Sequence, residues 1–188
     1  MNKQTTVTIK NGPDLFVLER LVPTFSLDVF DCSIAEYNEY LTQEAQRAQN
    51  ELISVSWLLH ERRSGSLAAY MSLINDAIKL NATEKELHHL DYPFRTIPAM
   101  KIAKLAVSKT HREQYKSIGT YMIYLATGIA EDTNEIHSAC RFITVDADIE
   151  HDPNVTAFYT KNGFIPNGEM NNRRSKTISM RKDIMILR

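Results

Sequence analysis

The chain has 188 residues, 43% of them hydrophobic, with 22 Lys and Arg against 23 Asp and Glu. That suits one globular domain, residues 1–188, with its own core, and a net charge of −1 leaves any case for nucleic-acid or membrane binding to be made locally. Cys32 and Cys140 alone make neither a disulfide framework nor a metal cage, the opening MNKQTTVTIKNGPD has no apolar signal core, and no apolar run reaches the ~20 residues that span a bilayer, so a reducing cytoplasm is expected.

Thr5–Ile9 and Leu15–Leu21 read as strands separated by the turn signal Asn11-Gly12-Pro13. A helix is expected from Ile34 to Ala48, capped by Asp31 or Ser33, with Ile34, Tyr37, Leu41 and Ala45 on one face. Leu52–His60, with Val55, Trp57 and Leu59 alternating against Ser54, Ser56 and Leu58, pairs with Ser66–Ile74 across Arg63-Ser64-Gly65 as a hairpin. Thr83–Leu90 is a short helix, closed by Pro93 and Pro98.

Ala99–Val107 is a strand, apolar except for Lys101 and Lys104. A basic loop carrying Lys109, His111, Arg112 and Lys116 follows, and a helix opens near Ser117 with Ile118, Met122, Leu125 and Ile129 as its buried stripe. Phe142–Ala147 is a buried-type strand. Asp152 and Pro153 start the next helix, which ends at Asn162-Gly163. Phe164-Ile165 and Lys176–Ile184 supply late strands. A meander followed by β-α-β-α-β implies an α/β or α+β domain of three layers with a mixed sheet.

Lys101–Thr120 holds five Lys or Arg and one acid, Glu113, where a strand leads to the start of a helix. Unpaired N–H groups and a partial positive charge at a helix N-terminus suit a phosphate. Gln114-Tyr115-Lys116-Ser117-Ile118-Gly119 follows Lys104-Leu105-Ala106-Val107. After the FITVDA strand comes Ala157-Phe158-Tyr159-Thr160-Lys161-Asn162-Gly163-Phe164. In this order the three segments resemble the GNAT N-acetyltransferase superfamily: its Arg-Leu-Ala-Val strand, its pyrophosphate loop Gln/Arg-x-x-Gly-x-Gly/Ala and its A-x-x-F-Y-x-x-x-G-F helix. The resemblance runs from about Asp28 to Asp183. It implies a mixed, mostly antiparallel sheet flanked by helices, acetyl-CoA as cofactor and direct acetyl transfer to a primary amine. Two departures stand out: Ser117 occupies the place of the first loop glycine, and the loop is about two residues longer.

The resemblance also assigns roles. Leu105 and Val107, either side of Ala106, offer backbone groups to the pantetheine arm. Gln114 to Thr120 (Gln114, Tyr115, Lys116, Ser117, Ile118, Gly119 and Thr120) hold the pyrophosphate through backbone N–H groups, while Lys109, Arg112 and Lys116 add charge. Tyr159 faces the departing thiolate with Phe158 turned into the core, and Asn162 either contacts the cofactor or caps its helix. Phe30-Asp31-Cys32-Ser33 and Tyr40–Ala45 resemble the opening of toxin-type members, which acetylate aminoacyl-tRNA and pair with small antitoxins. The family often forms homodimers.

The acceptor stays open between a charged tRNA and a small amine or protein. Glu131–Asp152 holds seven acids and one Arg, which suits a cationic amine and offers Asp146 or Glu150 as a base. Arg173, Arg174, Lys176, Arg181 and Lys182, with no acid among Asn171–Lys182, suit an RNA backbone. A rival of another class is a catalytically weak acyl-CoA sensor, motivated by Ser117. His88-His89 reads as a surface pair, His60, His111, His137 and His151 lack metal-ligand spacing, and Cys140 reads as a small buried residue.

Overall fold

A computed structural model describes residues 7–8, 12–168 and 175–187. The elements in order are β1 (Val7–Thr8), α1 (Gly12–Leu15), β2 (Phe16–Arg20), α2 (Ala35–Glu39), a π-helical turn (Tyr40–Glu44), α3 (Ala45–Asn50), β3 (Val55–Glu61), β4 (Leu67–Ile78) and α4 (Ala82–Leu87). There follow β5 (Ile97–Val107), α5 (Lys109–Gln114), β6 (Tyr115–Lys116), α6 (Ile118–Ile136), β7 (Phe142–Asp148), α7 (Val155–Lys161), β8 (Ile165–Pro166), β9 (Thr177–Asp183) and a closing 3-10 turn. A seven-stranded sheet runs β2-β3-β4-β5-β7-β9-β8. Its β2–β3, β3–β4, β7–β9 and β8–β9 pairs are antiparallel, and its β5–β7 pair is parallel. This is the mixed, mostly antiparallel sheet with flanking helices that the resemblance implied. No described helix is long and apolar enough to cross a membrane.

The chain divides into two compact units, Met1–Ile74 with Ala103–Leu125, and Asn75–Ile102 with Ala126–Arg188. In the first, Leu21, Phe30, Cys32, Leu41, Ala45, Leu58, Tyr70 and Ala106 form a buried cluster. Leu41 and Ala45 come from the expected helical stripe, and Ile34 and Tyr37 pack against the same cluster. The expected cap is different. Ile34 takes the N-cap position in extended conformation without a side-chain cap. The Asp31 carboxylate instead accepts from the Ser33 N–H at 2.7 Å and from Asn38 Nδ2 at 3.0 Å, closing a turn in which Ser33 has φ 71°. Gly12 and Pro13 lie in α1 rather than in a strand-to-strand turn, and β1 pairs in parallel with β6, not with β2. A Cβ at Gly12 would run into the end of the Tyr121 ring, so any larger residue there requires that ring to move.

The β3–β4 hairpin forms as expected, and the serine-bearing face of β3 is buried together with Leu59 of the opposite set. Ser54, Ser56 and Leu58 are buried, while Val55 and Trp57 are half-buried. Serine is tolerated inside because Ser56 Oγ and Ser72 Oγ satisfy each other at 2.7 Å across the two strands. The α6 stripe is likewise rotated. Ile118, Met122, Ile123, Ala126 and Ala130 are buried, and Leu125 and Ile129 are only partly so.

In the second unit, Ile78, Leu80, Leu90, Ile97, Ala99 and Phe142 form the apolar cluster. Helix α4 opens with a capping box that the sequence reading passed over: Asn81 Oδ1 accepts from the Glu84 N–H at 2.9 Å and Glu84 Oε2 from the Asn81 N–H at 3.0 Å. Pro98 lies inside β5 and does not close a loop. Helix α7 begins at Val155, later than Asp152-Pro153 indicate, because the Asp152 carboxylate accepts from the Asn154 N–H at 2.9 Å and makes a turn before the helix. Gly163, at φ 86°, closes it as expected.

Candidate active site

The strand-to-helix segment of the first unit holds the residues expected to contact phosphate. β5 runs through Leu105, Ala106 and Val107, of which Ala106 is buried and the others half-buried. The expected basic loop is in fact a short helix, α5, followed by the two-residue strand β6. Lys109, Arg112 and Lys116 are exposed along it, and Gln114 is half-buried. Tyr115 is buried against Phe16 in an edge-on contact at 5.1 Å. Ser117 then turns the chain with φ 74°, in the left-handed region that favours glycine. Serine at this position thus adopts a conformation that glycine reaches at no steric cost. Ile118 is buried, Gly119 half-buried and Thr120 exposed. The first intrahelical bond past the turn, Tyr121 N–H to Ser117 O at 2.9 Å, leaves the Ile118, Gly119 and Thr120 N–H groups without helical acceptors, as at every helix start.

A run of polar contacts holds this segment in place. Lys109 donates its N–H to Asp31 O and Ser108 its N–H to Ala68 O, each at 2.8 Å. The Tyr115 hydroxyl donates to Glu61 Oε1. Ser64 donates to Glu61 Oε2 at 2.5 Å, Ser64 and Ser66 hydroxyls lie 2.6 Å apart, Ser66 Oγ is 3.0 Å from His111 Nε2, and His111 Nδ1 is 3.2 Å from Ser108 Oγ. The hydrogen bonds from Ser64 and then Tyr115 hold the Glu61 carboxyl below its usual range. Burial lowers His111. Glu61 and Ser108 did not stand out in the sequence, because no local motif ties residue 61 to residue 115.

In the second unit α7 presents Tyr159 and Asn162. The expected split of the Phe-Tyr pair is reversed: Tyr159 is 8% exposed, and Phe158 is the half-buried member. Tyr159 meets Phe164 edge-on at 5.3 Å. Burial, then the Asp148 charge, pushes its phenol up to about 12. The Asn162 amide donates to Phe158 O at 2.8 Å, which is the capping alternative for that residue.

The acids and bases of the same unit are mostly engaged with each other. Asp146 pairs with Lys101 at 2.5 Å, Glu150 with Lys176 at 2.6 Å and Asp148 with His151 at 2.7 Å. Of the described residues of the basic run, Lys176 is exposed, Lys182 half-buried and Arg181 buried. Arg181 is 2% exposed, with Nη1 donating to Glu84 Oε1 at 2.8 Å and to Asn167 Oδ1 at 2.7 Å. Burial holds Lys182 below the usual lysine range. Arg173 and Arg174 lie outside the described residues. His88 is no surface residue either: it is 5% exposed and sits 2.8 Å from Asp183, which Arg141 grips through two nitrogens, each at 2.8 Å. Cys140 is buried, as expected.

No protein-family model matches the chain, and no curated protein matches it. Its fold is nevertheless a known one. A tyrosine-to-phenylalanine mutant of KacT superposes with a TM-score of 0.71 at 16% identity, covering 93% of this chain and 99% of the other. AtaT complexed with acetyl-methionyl-tRNAfMet gives 0.70 at 18% identity, covering 87% and 93%. A tyrosine-to-phenylalanine mutant of the AtaT toxin, bound to the C-terminus of the antitoxin AtaR and acetyl-CoA, gives 0.68 at 17% identity, covering 92% and 97%. At these identities the shared property is the fold.

Proposed function

We propose that this chain is an acetyl-CoA-dependent N-acetyltransferase whose acceptor is the α-amino group of an aminoacyl-tRNA, held in check by an antitoxin. The observation that carries the reading is its near full-length likeness to AtaT, a toxin captured with acetyl-CoA in one structure and with acetyl-methionyl-tRNAfMet in another. The residues at the segment Ser108–Thr120 fit the cofactor. They combine a glycine-like turn at Ser117, a helix N-terminus behind it and three exposed cations, which is the donor set a pyrophosphate requires.

Acetyl-CoA, when bound, supplies a thioester carbonyl that an amine attacks directly. The Ile118, Gly119 and Thr120 N–H groups and the charges of Lys109, Arg112 and Lys116 would hold its phosphates, and Leu105 and Val107 would offer backbone groups to the pantetheine arm. Tyr159 retains its proton through the physiological range, since burial raises its pKa. It would donate a hydrogen bond to the departing thiol group rather than transfer its proton completely. Asn162 serves as the cap of α7.

The ion pairs of the two candidate bases favour an acceptor that needs little help from a base. An α-amine has a pKa near 8 and is substantially neutral at pH 7–8, whereas a lysine near 10.4 needs a base. Asp146 and Glu150, the acids proposed for that work, are held by Lys101 and Lys176. The left-handed Ser117 also weakens the case for a non-catalytic sensor, since the turn is made despite the missing glycine.

The test is transfer of labelled acetyl from acetyl-CoA to a pool of charged tRNA, with polyamines, free amines and peptides in parallel. Label on the charged pool alone is the expected outcome. Label on polyamines or peptides with tRNA unlabelled would overturn the assignment of the acceptor.

A further inference from the structure

The contacts around Glu61 form one continuous chain: Tyr115 and Ser64 on the carboxylate, then Ser66, His111 and Ser108. The terminal groups are buried, Glu61 at 7%, His111 at 6%, Ser108 at 7% and Tyr115 at 8%, whereas Ser64 and Ser66 are exposed. Its ends fall on either side of α5, Ser108 just before it and Tyr115 just after it. It therefore grips both ends of the helix that carries Lys109 and Arg112.

The direction of every hydrogen bond in the chain follows from its anchor. An ionised carboxylate only accepts, so Ser64 spends its one proton on Glu61 and Tyr115 does the same from the other side. Ser64 then has nothing left to donate to Ser66, so the Ser66 hydroxyl donates to Ser64. Having spent its proton, Ser66 must accept from His111 Nε2–H. A neutral His111 then carries no proton on Nδ1, which accepts from the Ser108 hydroxyl. One negative charge at Glu61 thus sets the tautomer of His111 and turns Ser108 inward. His111 is neutral at pH 7, since burial lowers its pKa.

We propose that Glu61 is a positioning residue for cofactor binding: through the one-way chain to His111 and Ser108, and through Tyr115, it fixes the segment that holds the CoA phosphates. The inference rests on the proposed function for the identity of the ligand. The relay itself is independent of it.

The test uses the full chain and the variant Glu61→Gln. A glutamine with its oxygen toward Tyr115 and its nitrogen toward Ser64 donates where the carboxylate accepted, which reverses the chain and leaves His111 with its proton on Nδ1. Nitrogen NMR of the histidine rings reads this directly, while calorimetry with CoA reads affinity. The wild type is expected to show an Nε2–H His111, and the variant an Nδ1–H His111 with CoA bound about tenfold more weakly. Ser66→Ala, at an exposed position, serves if Glu61→Gln does not fold. It cuts the chain next to His111 and should weaken CoA about threefold while mixing the two tautomers. An Nδ1–H His111 in the wild type would overturn the relay. A changed tautomer with unchanged CoA affinity would overturn the positioning role. Failure of the wild type to bind CoA at all would instead overturn the proposed function, and with it the ligand assigned here, while the histidine spectrum still reports on the relay.

Discussion

Ser117 and Tyr159 are the two residues on which most of the proposed chemistry depends. Ser117 holds a left-handed backbone at φ 74°, a conformation that costs a non-glycine residue on the order of 1 kcal/mol. Ser117→Gly should therefore keep or slightly raise the melting temperature, and Ser117→Val should destabilise by roughly 1–2 kcal/mol with weaker CoA binding. Denaturant titration with CoA calorimetry checks both, and a Val variant as stable as wild type would show that the turn is not under strain. For Tyr159, the phenylalanine variant should bind acetyl-CoA normally and turn over about a hundredfold more slowly, the scale of one lost transition-state hydrogen bond. Equal turnover would remove Tyr159 from the mechanism.

Among the elements, α4 and β9 show what holds the second unit's buried charges. Arg181 on β9 meets Glu84 on α4, and its Nε lies 3.3 Å from His88 Nε2. Removing one partner of such a buried pair costs about 3–5 kcal/mol. Arg181→Ala should thus be far more damaging than Asn81→Ala, which removes one arm of the capping box at about 1 kcal/mol. Equal losses in thermal denaturation would refute that ranking. The same elements show how far the sequence could be read. Strands β5 and β7, α6 and the α7 terminus were legible because period and turn residues are local signals. Arg181 and His88 read as surface because charge and imidazole are usually solvated, and their partners lie far away in sequence. Three motifs in order carried the resemblance, but the inward-facing Glu61 left no local trace. The stripe on α6 shifted because Ala126 and Ala130 permit close packing that a hydrophobicity pattern assigns to Leu125 and Ile129.

For the whole molecule, the buried titratable groups set a direction for stability against pH. Burial lowers His88 and His111 below the ordinary histidine value, with Asp183 opposing it at His88 and Glu61 at His111. A histidine lowered in the folded state binds its proton more readily when unfolded, so stability is present above pH ~6.5 and lost as pH falls below it. Glu61 and Asp183 act further down. At Glu61 the hydrogen bonds from Ser64 and Tyr115 lead. At Asp183 burial is the largest single influence and pushes upward, but the bonds from Arg141, the Met185 N–H and His88 together outweigh it. Both carboxyls are lowered, so their contribution holds above the unfolded carboxyl range and is lost as pH falls below about 4. The melting temperature should therefore fall from pH 7 to 5 and again below 4. A His88→Gln variant should flatten the first fall, and a profile unchanged by it would assign that fall elsewhere.

The central claim is that the free α-amine of a charged tRNA is what the protein acetylates. The most direct measurement gives it labelled acetyl-CoA with one tRNA in three forms: deacylated, aminoacylated, and aminoacylated with the amine already formylated. Label is expected on the aminoacylated form alone, lost when the aminoacyl ester is hydrolysed. Label on the deacylated or formylated tRNA, or on none of the three while amines or peptides are acetylated, would contradict it.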